Sequence, residues 1–210
     1  MAKTTKTKTV TKKKVTKAGG KKKTTTTRKS SGRRTEAHMR VEVNGRKMEH
    51  PVRKFFIALG FILCPLVVGL ISSALTGDAM MTFGDLNQPP LAPPAWLFPV
   101  AWTILYLLMG VASYLIYRWQ PKDKVGKALK VAELVVYFVQ LAFNFMWTIL
   151  FFRFELRYFA FGWLVVMWLM ILALIIMAFK TRKAAAWCLI PYLLWCTFAA
   201  YLNIMVAVLN

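Results

Sequence analysis

The sequence predicts an all-α membrane protein, a bundle of five transmembrane helices that follows a disordered, basic N-terminal tail. Three observations support this fold class. Hydrophobic residues make up 58% of the 210-residue chain and are concentrated after residue 54. They form five segments of at least 20 residues, the length with which an α-helix crosses a bilayer core of about 30 Å. The connections between these segments also alternate between strongly and weakly basic, as loops on opposite sides of a membrane do.

The tail differs sharply in composition from the rest of the chain. Residues 1–54 contain 19 of the 29 Lys and Arg residues but only three acidic ones. They offer too little apolar surface to offset the entropy lost on ordering, so we predict a disordered cytoplasmic tail over 1–54 and a transmembrane domain over 55–210. The positive charge favours contact with anionic lipid. The alternative is a solvated tail that only fixes topology. No aromatic residue is present to stack on bases, so no specific nucleic-acid partner is expected.

The five predicted spans are bounded by charges, prolines or glycine, and none has Lys, Arg or Asp in its middle. They comprise residues 55–76, 99–118, 131–152, 158–179 and 185–209. The first is too long, and lies too far into the chain, to be a cleavable signal peptide, so it is expected to remain as an anchor. Glu133, near the start of the third span, is expected to cap the helix or to face the membrane interface.

Basic residues also set the orientation. The tail is basic, as are the connections 118–130 and 180–183, whereas residues 77–98 contain no Lys or Arg. The positive-inside rule therefore predicts an integral, multi-pass protein with a cytoplasmic N-terminus and an external C-terminus.

The segment 89–114, PPLAPPAWLFPVAWTILYLLMGVASY, joins a stiff loop to a membrane helix. Its first four prolines fix φ and lack N–H donors, while Pro99 is compatible with the first turn of a helix. Trp96 and Trp102 flank the helix start, where indole rings favour the membrane–water boundary. The segment therefore predicts an aromatic lid over a pocket.

Four pieces of the sequence resemble the TspO/MBR family, which comprises the translocator protein (peripheral-type benzodiazepine receptor) and the bacterial tryptophan-rich sensory proteins. In order, they are PPLAPPAWLFPVAWTILYLLMGVASYLIYR (89–118), LAFNFMWTILFF (141–152), KTRKAAAW (180–187) and PYLLWCTFAAYLN (191–203). The resemblance implies a five-helix bundle, commonly a homodimer, with a pocket under the loop between the first two helices. Three small residues, Gly110, Ala112 and Ser113, would permit close helix approach at a dimer face.

The same resemblance implies the residues of the ligand site. The pocket lining would be Trp102, Asn144, Trp147, Trp195, Ala199 and Leu202, with Trp96 covering it. Helical spacing agrees, because Asn144 and Trp147 share one face and Trp195, Ala199 and Leu202 share another. The alternative role for a membrane tryptophan is the interface, and Asn144 has the alternative of bonding between helices.

The implied ligand is a porphyrin, haem or a similar flat hydrophobic molecule, and the implied role is that of a sensor, regulator or carrier. Two alternatives remain: light-dependent porphyrin degradation, in which Trp102 and Trp195 would react, and passive translocation of an amphipathic ligand. Apart from these two tryptophans no catalytic residue is expected, so an enzyme is the less favoured interpretation.

No metal site and no required cofactor are expected. Both histidines lie in the tail, and the three cysteines lie in apolar spans without metal-site spacing. Tyr201 is followed by no Lys or Arg, which breaks the weak cholesterol-associated pattern of the animal members. The spans resemble the bacterial members more closely, which favours a bacterial plasma membrane.

Overall fold

This computed structural model describes residues 51–83 and 86–210; for residues 78–83 it describes the backbone only. The predicted tail lies outside the described residues except for residues 51–54, which are helical. The elements are α1 (Pro51–Phe83), α2 (Leu97–Arg118), α3 (Lys124–Thr148), a π-helical segment (Ile149–Arg153), α4 (Arg157–Thr181) and α5 (Lys183–Leu209). All five α-helices are long and apolar enough to cross a membrane, which confirms the predicted five-helix transmembrane fold.

Each helix starts or ends beyond its predicted limits, and α1 and α3 do so by four or more residues. Helix α1 begins at Pro51, where the missing N–H needs no partner, contains Pro65, and continues past Gly77 to Phe83, since the next proline after Gly77 is Pro89. Helix α3 begins at Lys124, earlier than predicted, because the carboxylate of Asp123 accepts a hydrogen bond from the Gly126 N–H at 2.8 Å. Hydropathy marks only the apolar part of each helix, so it misses these polar turns.

The helices pack as a closed ring in the order α1, α2, α5, α4 and α3, with α3 returning to α1. The side chains that meet inside the ring are large and apolar, and Met109, Ile116, Met167 and Ile171 have no exposed surface. Large apolar side chains also lie on the outside, such as Leu70 at 70% exposure. A bundle that is apolar inside and outside suits a hydrocarbon solvent, where helices satisfy their own backbone hydrogen bonds.

The small-residue patch of α2 packs within the chain and does not form the expected dimer face. A Cβ added at Gly110 would lie 2.6 Å from the Cα of Ile62 and 2.9 Å from its carbonyl oxygen. Ala112 and Ser113 are also fully buried. Gly110 therefore allows α1 and α2 to approach until their backbones nearly touch.

Candidate ligand-binding site

A cavity of about 190 Å³ lies between α1, α2, the end of α3 with its π-helical segment, and α5. Its walls are mainly aromatic, and the aromatic lining residues are Phe98, Trp102, Tyr106, Trp147, Phe151, Phe152, Trp195 and Phe198. Such a site, mostly apolar with few polar groups, is typical of pockets for small hydrophobic ligands.

The structure brings five of the seven expected site residues to this cavity. Trp102, Trp147, Trp195, Ala199 and Leu202 all lie in its wall. The other two do not. Trp96 precedes α2 and is 65% exposed, whereas Asn144 is fully buried below the cavity.

The indole rings of Trp102 and Trp147 form the centre of the wall. Their ring centroids are 6.3 Å apart, and that of Trp102 is 5.5 Å from the ring of Tyr106. The Trp147 indole N–H donates to Oδ1 of Asn203 at 3.2 Å, and the Asn203 amide in turn donates to the Arg157 carbonyl at 2.8 Å. These two hydrogen bonds hold the Trp147 ring in place. They also give Asn203, the last residue of the family-like piece 191–203, a role in joining helices.

The π-helical segment widens the local turn at the cavity. The Phe154 N–H donates to the Ile149 carbonyl at 3.0 Å, five residues back. Phe151 and Phe152 consequently both reach the cavity wall, with edge-to-face rings 4.9 Å apart. Single π-turns inside helices often occur at functional sites. The apolar sequence of this segment gave no sign of the altered turn.

Two polar atoms at the cavity have no hydrogen-bond partner among the described residues. They are the hydroxyl oxygen of Ser72, on α1, and the indole nitrogen of Trp195, on α5. Both atoms are buried, and a buried polar group without a partner costs roughly 1–3 kcal/mol. Neither atom has accessible surface in this structure, so a ligand would reach them only after the Ser72 or Trp195 side chain turns towards the cavity.

The loop before α2 closes into a turn and is tied to α5. The Ala92 N–H donates to the Pro89 carbonyl at 3.1 Å, and Leu91 adopts a left-handed φ of 68°. Pro at the second position and a positive φ at the third are the geometry of a type II turn, in which glycine is usual at the third position. The Tyr201 hydroxyl donates to the Pro90 carbonyl at 2.8 Å.

A second tie joins the start of the loop to the end of α5. The Asn87 N–H donates to Oδ1 of Asn210 at 2.9 Å, and the Asn210 amide donates back to the Asn87 carbonyl at 3.2 Å. We call these contacts, together with that of Tyr201, the α5 clasp.

Asn144 is the centre of a buried chain of hydrogen bonds. Its Oδ1 accepts from the Tyr106 hydroxyl at 2.8 Å, and its amide donates to the Tyr192 oxygen at 3.1 Å. The Tyr192 hydroxyl then donates to Oε1 of Gln140 at 3.0 Å. Sequence analysis missed Tyr106, Tyr192 and Gln140. The i, i+4 spacing of Gln140 and Asn144 in an apolar span was the available signal.

Glu133 does not have the expected capping role, because α3 begins nine residues before it. Its side chain is fully buried and lies beside Thr181, the last residue of α4. Its Oε1 accepts a hydrogen bond from the Thr181 hydroxyl at 2.6 Å, and its Oε2 has no partner among the described residues.

Within the described part of the chain, no group of three His, Cys, Asp or Glu side chains is placed to hold a metal ion.

Comparison with known proteins adds to this geometry. The family model TspO/MBR matches residues 61–209. The tryptophan-rich protein TspO of Chlorobaculum tepidum is 34% identical over 157 residues, covering 73% of this chain and 95% of that protein. The tryptophan-rich sensory protein of Cereibacter sphaeroides is 38% identical over 128 residues (61% and 76%), and the translocator protein of Ovis aries is 36% identical over 151 residues (70% and 85%).

Proposed function

Since the chain belongs to the TspO/MBR family, we propose that it binds a porphyrin, haem or a similarly flat hydrophobic ligand in the cavity and acts as a sensor or carrier. The observation that carries this proposal is the convergence of three indole rings, those of Trp102, Trp147 and Trp195, on one cavity within the membrane bundle. Names of similar proteins, "sensory" and "translocator", point to the same two roles.

The chemistry of the wall suits a planar ligand with polar substituents. Aromatic rings attract one another in stacked or edge-to-face arrangements, which contribute about 0.5–1.5 kcal/mol beyond buried area. The unpaired Ser72 hydroxyl and Trp195 N–H would bond to a carboxylate or carbonyl at the ligand's edge once their side chains turn towards the cavity.

The size of the cavity adds a requirement. Its 190 Å³ is below the roughly 300–1,000 Å³ of pockets for drug-sized ligands. A tetrapyrrole therefore needs either an outward movement of wall side chains such as Phe98 or a pose in which part of the ring stays outside the bundle.

The test is titration of the purified protein with protoporphyrin IX in darkness, monitored by tryptophan fluorescence. We expect quenching in the native protein and at least tenfold weaker binding in Ala199→Phe, which fills the cavity wall. Ala184→Phe, at an exposed position on the same helix, is the matched control and should bind normally. Absence of quenching in the native protein, or normal binding by Ala199→Phe, would contradict the proposal.

Illumination of the same samples separates binding from degradation. If the protein only binds the porphyrin, illumination should bleach the porphyrin no faster with the protein than without it. Protein-dependent bleaching that is lost in Trp102→Phe or Trp195→Phe would instead assign the photochemical alternative.

We also propose that the protein lies in a bacterial plasma membrane, which its similarity to bacterial relatives supports, and that its N-terminus is in the cytoplasm, which the distribution of basic residues supports. Protease digestion of an N-terminal epitope in inverted and right-side-out vesicles tests the orientation. Cleavage only in inverted vesicles is expected.

A further inference from the structure

A stripe of polar side chains runs along the buried face of α3. Glu133, Tyr137, Gln140 and Asn144 follow one another at intervals of four, three and four residues, and all four are fully buried. Eleven residues of helix span about 16 Å, roughly half of a bilayer core. Polar groups in hydrocarbon are costly and usually functional, so the stripe is a candidate functional feature.

At one end of the stripe the polar atoms are hydrogen-bonded, and towards the other end several have no hydrogen-bond partner among the described residues. Asn144 and the Oε1 of Gln140 belong to the hydrogen-bond chain that begins at Tyr106 in the cavity wall. In contrast, three atoms make no hydrogen bond of acceptable geometry with any described residue: Oε2 of Glu133, the hydroxyl of Tyr137 and Nε2 of Gln140.

These three atoms are chemically complementary. Nε2 of Gln140 is a donor, the Tyr137 hydroxyl donates and accepts, and Oε2 of Glu133 accepts or, when protonated, donates. They lie on successive turns of one helix face, and buried waters typically bond to such otherwise unsatisfied groups.

In the described part of the chain, no basic side chain forms an ion pair with Glu133. The neighbouring amine Nζ of Lys130 donates to the Trp119 carbonyl at 2.8 Å and lies 5.2 Å from the ring centre of Tyr117, and Lys180 and Arg182 beside Thr181 are exposed. Along the stripe, Cys64 on α1 lies near Tyr137, and Cys196 on α5 lies near Tyr106 and Tyr192. Among the described residues, the single hydrogen bond that Glu133 makes is to Thr181. An unpaired carboxylate buried there would cost several kcal/mol, and protonation removes that cost.

We propose that Glu133, Tyr137 and Gln140 form a hydrated proton-binding site, in which Glu133 is a neutral carboxylic acid linked to the other two side chains by internal water. The proton on Glu133 comes from solvent and stays on the carboxyl group. The chain Gln140–Tyr192–Asn144–Tyr106 connects it to the cavity, so a ligand that displaces the Tyr106 hydroxyl also changes the hydrogen bonding of the acid. This coupling, unlike the site itself, rests on the proposed function.

Infrared spectroscopy of the full chain in lipid bilayers at neutral pH, without ligand, tests the site. We expect a carbonyl band of a protonated carboxyl group that is lost in Glu133→Gln and that shifts in D₂O buffer because water reaches the acid. In Thr181→Val the band should remain but move to higher frequency, since one hydrogen bond to the carbonyl oxygen is gone. Glu155→Gln is the matched control, because Glu155 is 66% exposed and should contribute only to carboxylate bands.

Two results would overturn the site: no protonated-carboxyl band lost in Glu133→Gln, which means that Glu133 is ionised, or a band that does not exchange in D₂O, which means that the site is dry. If Glu133→Gln does not fold, Thr181→Val still tests the site, because it keeps the carboxyl group of Glu133.

Adding protoporphyrin IX in darkness tests the coupling. The band should shift in the native protein but stay fixed in Gln140→Leu, while tryptophan quenching persists in both. Quenching without a band shift in the native protein would refute the coupling. Absence of quenching would refute the proposed function and leave the ligand-free result standing.

Discussion

At the scale of single residues, Asn144 supports the cavity without facing it. Its amide joins Tyr106 on α2 to Tyr192 on α5, and the ring of Tyr106 then forms part of the cavity wall. An asparagine in hydrocarbon needs partners for both ends of its amide, and this position supplies them. Asn144 therefore holds an aromatic ring of the cavity wall in place and does not itself line the cavity.

Replacement of Asn144 by leucine should leave the two tyrosine hydroxyls with fewer partners. We expect a loss of about 1–3 kcal/mol in the free energy of unfolding, the usual effect of leaving a buried polar group unsatisfied. Thermal unfolding in detergent, followed by tryptophan fluorescence, measures the change.

Thr197→Val is a suitable control for this variant. The Thr197 hydroxyl also bonds to a neighbouring helix, through the Trp168 N–H at 2.9 Å, but it is exposed on the outside of the bundle. A change no larger in Asn144→Leu than in Thr197→Val would contradict the central role of Asn144.

What the sequence predicted at this scale depended on residue type. Large indoles at helical spacing, together with the family resemblance, indicated Trp102, Trp147 and Trp195, and the structure brings all three to one cavity. The capping role expected for Glu133 was wrong, because α3 begins at Lys124 and Asp123 caps it. The burial of Glu133 was not predicted, because its distance from the span's end says nothing about which neighbouring helices cover it. Burial of a polar side chain is a property of packing, which a single sequence does not record.

At the scale of helices, the contact of α1 with α2 depends on a missing side chain. Gly110→Ala would place a methyl group 2.6 Å from the Ile62 Cα, and a backbone atom cannot move as a flexible side chain does. We expect a destabilisation of about 1–3 kcal/mol from overpacking.

Gly60→Ala is the matched control for Gly110→Ala, because a Cβ at Gly60 meets nothing within 4 Å. Its stability should stay the same or rise, by at most about 1 kcal/mol, from better helix propensity. Equal destabilisation of the two variants in thermal unfolding would show that the close approach at Gly110 has no particular importance.

The cap at the start of α3, outside the membrane, makes a pH-dependent contribution to the stability of the protein. Hydrogen bonds from backbone N–H groups, chiefly that of Gly126, hold the pKa of Asp123 below its usual value of 3.8. A lowered folded-state pKa means that this cap stabilises the protein above pH 3.8 and that the contribution is lost as the pH falls through the folded value.

The variant Asp123→Asn isolates that contribution, because asparagine caps a helix but does not titrate. The native protein should lose more of its melting temperature than Asp123→Asn when the pH is lowered below 3.8. Parallel acid-induced losses in the two proteins would show that Asp123 makes no such contribution.

Helix boundaries show where prediction from hydropathy reaches its limit. All five spans were predicted because apolar runs of this length rarely occur outside membrane helices. The π-helical segment was not predicted, because its residues ILFF continue the apolar run of α3 and nothing in that run marks a change of hydrogen bonding; in the structure the segment packs against α1.

At the scale of the described domain, the α5 clasp connects the loop before α2 with a helix that forms part of the cavity wall. Asn87 and Pro90 lie on the loop, Tyr201 lies on α5 and Asn210 directly follows that helix. Because Trp195, Ala199 and Leu202 of α5 line the cavity, movement of the loop away from α5 breaks contacts with a helix that would hold the proposed ligand.

Loss of one clasp contact should therefore speed ligand release. Tyr201→Phe removes only the hydroxyl that donates to the Pro90 carbonyl, a contribution of about 0.5–1.5 kcal/mol or a factor of about 2–13 in rate. Stopped-flow measurement of protoporphyrin IX dissociation tests it, with Tyr158→Phe, at a position 65% exposed, as the control. Unchanged dissociation in Tyr201→Phe would mean that the ligand does not leave past the loop.

The basic tail and the helical domain should act separately. Among the residues that the structure describes, those that line the cavity lie between Leu66 and Asn203, whereas 19 of the 29 Lys and Arg residues lie in residues 1–54. Each basic residue near an anionic membrane contributes about 1 kcal/mol, and salt weakens the attraction.

Replacing every Lys and Arg in residues 1–34 by Gln in the full chain should abolish contact of the tail with anionic lipid. A fluorophore at residue 5, read against a quencher in the lipid headgroups, should be quenched in anionic but not in neutral bilayers, and salt or the Gln replacement should relieve the quenching. The Kd for protoporphyrin IX in darkness should change by no more than about twofold, well below the tenfold change that corresponds to about 1.4 kcal/mol. Orientation should also persist, because the connections 118–130 and 180–183 keep their basic residues. If porphyrin binding fell together with lipid contact, the tail would have to be included in the ligand site.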